Sequence, residues 1–273
     1  MLVVKLGGSN GLEFDAALRD IAALVERGER VAVVHGGSRE MDAISTRLGR
    51  PPRYVTSPSG VKSRYTDRET LEIFAMVVAG RVNKLLVERL QGLGVNALGL
   101  AGIDGRLLTG RRKGVIIAVE GGKKRVLRGD YGGRVTGVNA GLLSLLLAAG
   151  YVPVIAPLAL GTEGEALNVD ADRAAAAVAG ALGAETLVIL TDVPGLLRDP
   201  ADPSSLIPRI PGEEARAYLE RYARGRMAKK MLGAIEALEQ GVPRVILATG
   251  RAERPVFSAL EGRGTVISRE GAP

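Results

Sequence analysis

The sequence predicts an α/β protein: one open, mostly parallel β-sheet sandwiched between helix layers, with a β-hairpin excursion. Three observations predict it. Short apolar runs alternate with longer segments of helical period along most of the chain, the order that parallel strands with crossover helices require. The apolar material is aliphatic: 46% of the 273 residues are hydrophobic but only 3% are aromatic, with no Trp. Such a core must be built from Ala, Val, Leu and Ile, as in parallel sheets. Glycine clusters close several of the predicted strands, which is where open α/β sheets bind ligands.

Residues 2–6 form the first strand and contain Lys5. Residues 14–28 carry Phe14, Leu18, Ile21, Ala22 and Val25 at helical spacing. A strand at 31–35 and a helix at 38–48 follow. The Pro, Gly and Ser of 51–66 predict a hairpin or lid. A long helix covers 67–92, with Leu71, Phe74, Val77, Val78, Val82 and Leu85 in its apolar stripe. After a strand at 95–99, short β-like runs at 115–119 and 125–127 flank Gly121 and Gly122, predicting a hairpin that leaves the sheet edge within 104–136. Residues 140–162 lack charge, but Gly141, Gly150, Pro153 and Pro157 divide them into a helix (139–149) and a buried strand (151–155), too broken for a membrane span. Helices at 171–183, 213–222 and 227–240 and strands at 186–191 and 243–248 complete the pattern. The length suits one unit with two lobes.

The chain has no cysteine, which excludes disulfides, thiolate metal sites and cysteine nucleophiles. Its one histidine, His35, excludes a multi-histidine metal centre. No metal site is expected. The absence of cysteine and of a signal peptide fits a cytoplasmic protein. The net charge of +7 invites a nucleic-acid reading, against which stands a solvated, Arg-rich surface. Scarce aromatic residues argue against a single-strand binder; neither nucleic acid nor membrane is the expected partner.

Five clusters carry chemistry. Lys5-Leu6-Gly7-Gly8 ends the first strand, and His35-Gly36-Gly37-Ser38 ends the second and opens a helix. Paired glycines there let backbone N–H groups approach an anion, helped by the helix dipole. Thr191-Asp192-Val193-Pro194-Gly195 ends the strand at 186–191. No Gly-Lys is followed by Ser or Thr, so there is no P-loop. Asn168-Val169-Asp170-Ala171-Asp172 leads into an alanine-rich helix. Either Asp could cap that helix, but capping needs only one carboxylate. Gly225-Arg226-Met227-Ala228-Lys229-Lys230 opens another helix. A basic start opposes the helix dipole, which suggests the lysines are needed there.

In this order the five clusters resemble those of the amino-acid kinase family over nearly the whole chain. Within it the chain is similar to the N-acetylglutamate kinase branch, and most similar to the subgroup that acts on an amino acid bound to a carrier protein. The lid, Ser57-Pro58-Ser59-Gly60-Val61-Lys62-Ser63-Arg64-Tyr65-Thr66-Asp67, and Arg128-Gly129-Asp130-Tyr131 carry that narrower likeness. The resemblance implies ATP with Mg²⁺ as phosphoryl donor and a side-chain carboxylate as acceptor, α-aminoadipate or glutamate on a small acidic carrier. It implies catalytic roles for Lys5, Lys230 and Asp172, with Lys229 as competitor for the second lysine. Gly36, Gly37, Arg64 and Asn168 would bind the acceptor. Gly7, Gly8, Asp192, Val193, Gly195 and Leu196 would bind the nucleotide. Residues 1–184 would form the substrate lobe and 185–273 the nucleotide lobe. A homodimer through the helix at 67–92 is also implied.

A carboxylate acceptor is ionised at neutral pH and needs no general base, which suits a chain with one histidine. The barrier is charge crowding, so catalysis is positioning plus electrostatic stabilisation by the two lysines. The basic residues gain a purpose as well. Lys62, Arg64 and Arg68 lie around the lid, and Arg111, Arg112, Lys113, Lys123, Lys124, Arg125 and Arg128 lie in or beside the hairpin. Such a rim would steer an acidic carrier, with Lys62, Lys123, Lys124, Arg125 and Arg128 as its contacts.

Overall fold

The first strand, β1 (Leu2–Leu6), is buried at all five residues and lies inside an eight-stranded sheet. The computed structural model describes residues 1–7, 14–58, 60, 62–121 and 123–269. The strand order is β12 (Arg209–Pro211), β14 (Thr265–Ser268), β13 (Arg244–Thr249), β11 (Thr186–Thr191), β1, β2 (Val31–His35), β8 (Val152–Ala156) and β5 (Ala97–Ala101). Every neighbouring pair is parallel except β13 with β14.

Successive side chains of a strand point to opposite faces, and the two faces have separate cores. Val3, Val34, Ile155 and Ile189 face α5 (Ala140–Ala148), α6 (Ala171–Ala181), α7 (Ala215–Tyr222) and α8 (Gly225–Glu239). Leu2, Val4, Leu6 and Val33 face α1 (Asp15–Glu26), α2 (Ser38–Arg47), α3 (Arg68–Phe74), α4 (Asn83–Gly92) and α9 (Pro255–Leu260). Lys5 has the parity of Val3, so the alternation sends it toward α6 and α8.

The segment expected as one helix at 67–92 runs without a break, but Ala75–Val82 between α3 and α4 is π-helical. The lid is a hairpin of β3 (Tyr54–Thr56) and β4 (Lys62–Arg64). The second hairpin departs from expectation. Its strands, β6 (Leu108–Glu120) and β7 (Lys123–Val138), are far longer than the short runs predicted. It does not extend the edge of the large sheet. Its root pairs with β9 (Leu158–Gly161) and β10 (Ala166–Val169), and the four strands close on themselves. Glycines permit the tight closure: a Cβ at Gly110 would lie 3.0 Å from the Arg134 carbonyl oxygen, and one at Gly133 would lie 2.9 Å from Leu167 Cδ1. The Gly, Lys and Arg that interrupt these strands hid their length from a reading of apolar runs.

The border expected at 184/185 falls between strands that pair directly, Leu2 opposite Thr186. The parts of the chain on either side of it therefore share one sheet. Among the described residues no helix is long and apolar enough to cross a membrane.

Candidate active site

The Asn-x-Asp-Ala-Asp cluster divides its labour between two carboxylates. Asp170 is the N-cap of α6, its Oδ1 accepting from the backbone N–H of Asp172 (3.0 Å) and Arg173 (3.2 Å). Asp172 is then free to bind side chains. Its Oδ1 lies 2.6 Å from Lys5 Nζ and its Oδ2 3.2 Å from Lys230 Nζ. All three groups are buried, at 5%, 7% and 8% exposure for Lys5, Asp172 and Lys230. Burial by itself would raise the pKa of Asp172, but the two ammonium groups outweigh it and hold the carboxyl well below the usual carboxylate range. Lys230 is pushed down, first by burial and then by the neighbouring Lys5, against the pull of Asp172.

Lys230 reaches Asp172 because α8 lies very close to α6. A Cβ at Gly233 would stand 3.1 Å from the backbone carbonyl carbon and oxygen of Asp172. An ion pair from Arg173 on α6 to Glu236 on α8 (Nε to Oε2 2.8 Å) clamps the helices one turn further along. Lys229, about 100° round the helix from Lys230, is only partly buried.

The first glycine turn borders this cluster. A Cβ on Gly7 would fall 2.1 Å from Lys5 Nζ, so the absent side chain is the space the ammonium uses. Gly8 lies outside the described residues. The Gly36 N–H donates to the Leu6 carbonyl (3.0 Å), tying the second turn to the first strand. A Cβ on Gly37 would press on Val78 of the π-helical segment at 3.1 Å. Beyond β11, Asp192 and Val193 are partly exposed. Gly195 allows close packing, with its would-be Cβ 2.9 Å from the Thr265 nitrogen. Leu196 is 1% exposed within the core, and its N–H donates to Thr265 Oγ1 (2.8 Å).

Asn168 and the lid segment that carries Arg64, both expected at the acceptor, are linked through a residue the sequence reading did not single out. Asn168 Nδ2 donates to Thr66 Oγ1 (3.0 Å), two residues after Arg64. Thr66 is fully buried, and its N–H donates to Asp130 Oδ1 (2.8 Å). Asp130 also accepts from the Gly132 N–H (2.9 Å), so one carboxylate fastens the hairpin to the lid. Asp130 was visible only inside a motif; nothing local marked its carboxylate as a clasp. Arg64 is held too. Its Nη1 lies 2.7 Å from Asp42 Oδ1, and its Nη2 donates to the Tyr54 hydroxyl (3.0 Å), which donates to Asp42 (2.9 Å). A substrate carboxylate at Arg64 would compete with Asp42.

The basic hairpin residues do not form one surface. Cross-strand partners share a face. Val115, Ile117 and Val119 stand opposite Arg128, Val126 and Lys124; Ala118 and Glu120 stand opposite Arg125 and Lys123. One face thus carries the exposed apolar residues Val115, Ile117 and Val126 together with Lys124 and Arg128. Lys123 and Arg125 share the other face with the buried Ala118. Arg112 is engaged elsewhere, its Nε donating to the Asp130 carbonyl (2.8 Å) and its guanidinium 3.7 Å from the Tyr131 ring centroid. Among the described residues no cluster of three or more Asp, Glu or His would hold a metal ion by itself.

Residues 1–249 match the sequence profile of the Amino acid kinase family. A [LysW]-aminoadipate kinase from Deinococcus radiodurans is 55% identical over 268 residues, covering 98% of this chain and 91% of that protein. One from Thermus thermophilus is 52% identical, covering 98% and 100%. A [LysW]-aminoadipate/[LysW]-glutamate kinase from Saccharolobus islandicus is 41% identical, covering 98% and 99%. Among solved structures, N-acetylglutamate synthase from Neisseria gonorrhoeae, complexed with coenzyme A and N-acetyl-glutamate, superposes with a TM-score of 0.80 at 30% identity. That match covers 99% of this chain but 59% of the synthase. Carbamate kinase from Giardia lamblia bound to AMP-PNP shares the fold, with a TM-score of 0.67 at 18% identity over 98% of both chains.

Proposed function

Because the chain belongs to the amino acid kinase family, we propose that it transfers the γ-phosphoryl group of ATP to the side-chain carboxylate of α-aminoadipate, or of glutamate, held on a small acidic LysW-like carrier. The product is an acyl phosphate in lysine or arginine biosynthesis, made in the cytoplasm. The buried Lys5–Asp172–Lys230 cluster carries this reading. Two ammonium groups within 3.4 Å of one carboxylate, one carried by a parallel strand and one by a helix, are a device for gathering negative charge. The names of the relatives support the acceptor and the carrier.

In the reaction a carboxylate oxygen attacks Pγ, the bond from Pγ to the β,γ-bridging oxygen breaks, and ADP departs with the electron pair. No proton moves, so no general base is needed. Lys5 and Lys230 stabilise the charge that builds on the transferred and leaving phosphoryl oxygens. Asp172 keeps the two ammonium groups together against their repulsion. The acceptor lies on Gly36, Gly37, Arg64 and Asn168 in the 1–184 lobe. The nucleotide lies on Gly7, Gly8, Asp192, Val193 and Gly195, reaching into the 185–273 lobe. Mg²⁺ arrives on the nucleotide as part of the substrate and neutralises phosphate charge. The carrier docks on the hairpin face of Val115, Ile117, Val126, Lys124 and Arg128, an apolar strip edged by cations. A second copy packing on the 67–92 helix, where Met76 is 59% exposed, gives the homodimer.

The test is ATP turnover with carrier-bound aminoadipate, carrier-bound glutamate and free N-acetylglutamate in parallel, trapping the acyl phosphate with hydroxylamine. A hydroxamate from the carrier-bound acceptors is expected. Equal or better turnover of free N-acetylglutamate overturns the carrier reading, and no ADP release with any acceptor overturns the kinase reading.

A further inference from the structure

The one histidine of the chain lies behind the Gly36–Gly37 turn and is fully buried. Its Nδ1 is 2.7 Å from the Gly36 carbonyl oxygen and its Nε2 is 3.0 Å from Asn83 Nδ2. The orientation of Asn83 is fixed at both ends of its amide. Nδ2 also donates to the Val154 carbonyl (2.9 Å), an acceptor only, and Oδ1 accepts from Lys84 Nζ (3.2 Å), a donor only. The second Nδ2 hydrogen therefore points at His35 Nε2, which must be a lone pair. That leaves the imidazole proton on Nδ1, where it donates to Gly36. The space for Asn83 is itself built in, because a Cβ on Gly99 of β5 would sit 2.1 Å from Asn83 Oδ1.

We propose that His35 is a positioning residue, locked as the Nδ1–H tautomer by Asn83, and that its hydrogen bond to the Gly36 carbonyl holds the Gly36–Gly37 turn in its acceptor-binding form. The inference rests on the proposed role of that turn. A doubly protonated ring would aim an N–H at the Asn83 amide, so the charged form has no place here. Burial first, and then the positive charges of Lys5 and Lys84, push the His35 pKa down to about 4, against the pull of its hydrogen bond to Gly36. The ring is thus neutral at neutral pH.

With a single histidine, ¹⁵N-histidine NMR of the whole protein gives one imidazole to assign. An Nδ1–H pattern unchanged between pH 6 and 8 is expected; an Nε2–H or imidazolium pattern overturns the inference whatever the activity. The second arm replaces the ring. His35→Asn places an amide N–H near the Nδ1 position, whereas His35→Gln places one near Nε2. His35→Asn is expected to keep kcat/KM within about threefold, while His35→Gln raises the acceptor KM about tenfold with a smaller change in kcat. Equal activity of two folded variants overturns it. If neither variant folds, the tautomer measurement alone decides. An inactive wild type would sink the kinase reading and leave the tautomer result standing.

Discussion

Lys5 and Lys230 share one carboxylate, yet the chain spends two different devices on them. Lys5 is aimed by strand alternation and accommodated by the missing side chain of Gly7. Lys230 is aimed by helix packing and sits in repulsion with Lys5. The pair is bearable only because Asp172 stays ionised between them; a buried charge stripped of its partner costs about 3–5 kcal/mol. Lys5→Ala and Lys230→Ala are each expected to lower kcat by about 10²–10³-fold, the size seen when one charge-stabilising donor is removed. Lys229→Ala should leave kcat nearly unchanged. A coupled assay of ADP release separates the three variants, and a large loss for Lys229→Ala alone would reverse the assignment.

At the scale of elements, the contact of α6 with α8 sets the geometry of the site. Gly233 is where the helices touch, and the Arg173–Glu236 pair holds them beside it. Gly233→Val adds three carbons against the Asp172 backbone. Overpacking of this kind costs roughly 1–3 kcal/mol and shifts backbones. The expected outcome is a folded protein with a lower melting temperature and a kcat reduced about a hundredfold, because Lys230 rides on the displaced helix. Circular dichroism and turnover measured on one preparation check it. Wild-type turnover in a folded Gly233→Val protein would show that the close approach is not what sets the lysine.

For the whole molecule, the register of the hairpin sorts part of the +7 charge onto two faces. Register puts Lys124 and Arg128 beside the exposed apolar strip and turns Lys123 and Arg125 away. If an acidic carrier docks there, Lys124→Glu and Arg128→Glu raise the KM for carrier-bound substrate about tenfold and flatten its salt dependence, while Lys123→Glu does much less. The readout is kcat/KM between low and moderate salt, since charges separated by more than about 10 Å are screened at 0.1 M. Equal effects from all three, or no dependence on salt, would reject this face as the dock.

The sequence by itself determined the parallel sheet, the strand carrying Lys5, the glycine turns at the strand ends, and the presence of one more carboxylate at 168–172 than capping needs. Each of these is local. Period two, period 3.6 and cap spacing are written in neighbouring residues, and chemistry confined to one turn needs no distant partner to be recognised. Only the tertiary structure buried Lys230 beside Asp172 and left Lys229 partly exposed, placed Leu196 in the core, closed the hairpin root into a small barrel, and sorted the hairpin cations by face. Those outcomes depend on contacts between distant parts of the chain: Lys230 and Asp172 are 58 residues apart, Thr66 and Asp130 are 64, and Thr66 and Asn168 are 102. Such pairings are set by how two helices or two hairpins pack, and packing is a property of the whole fold that no single stretch of sequence contains.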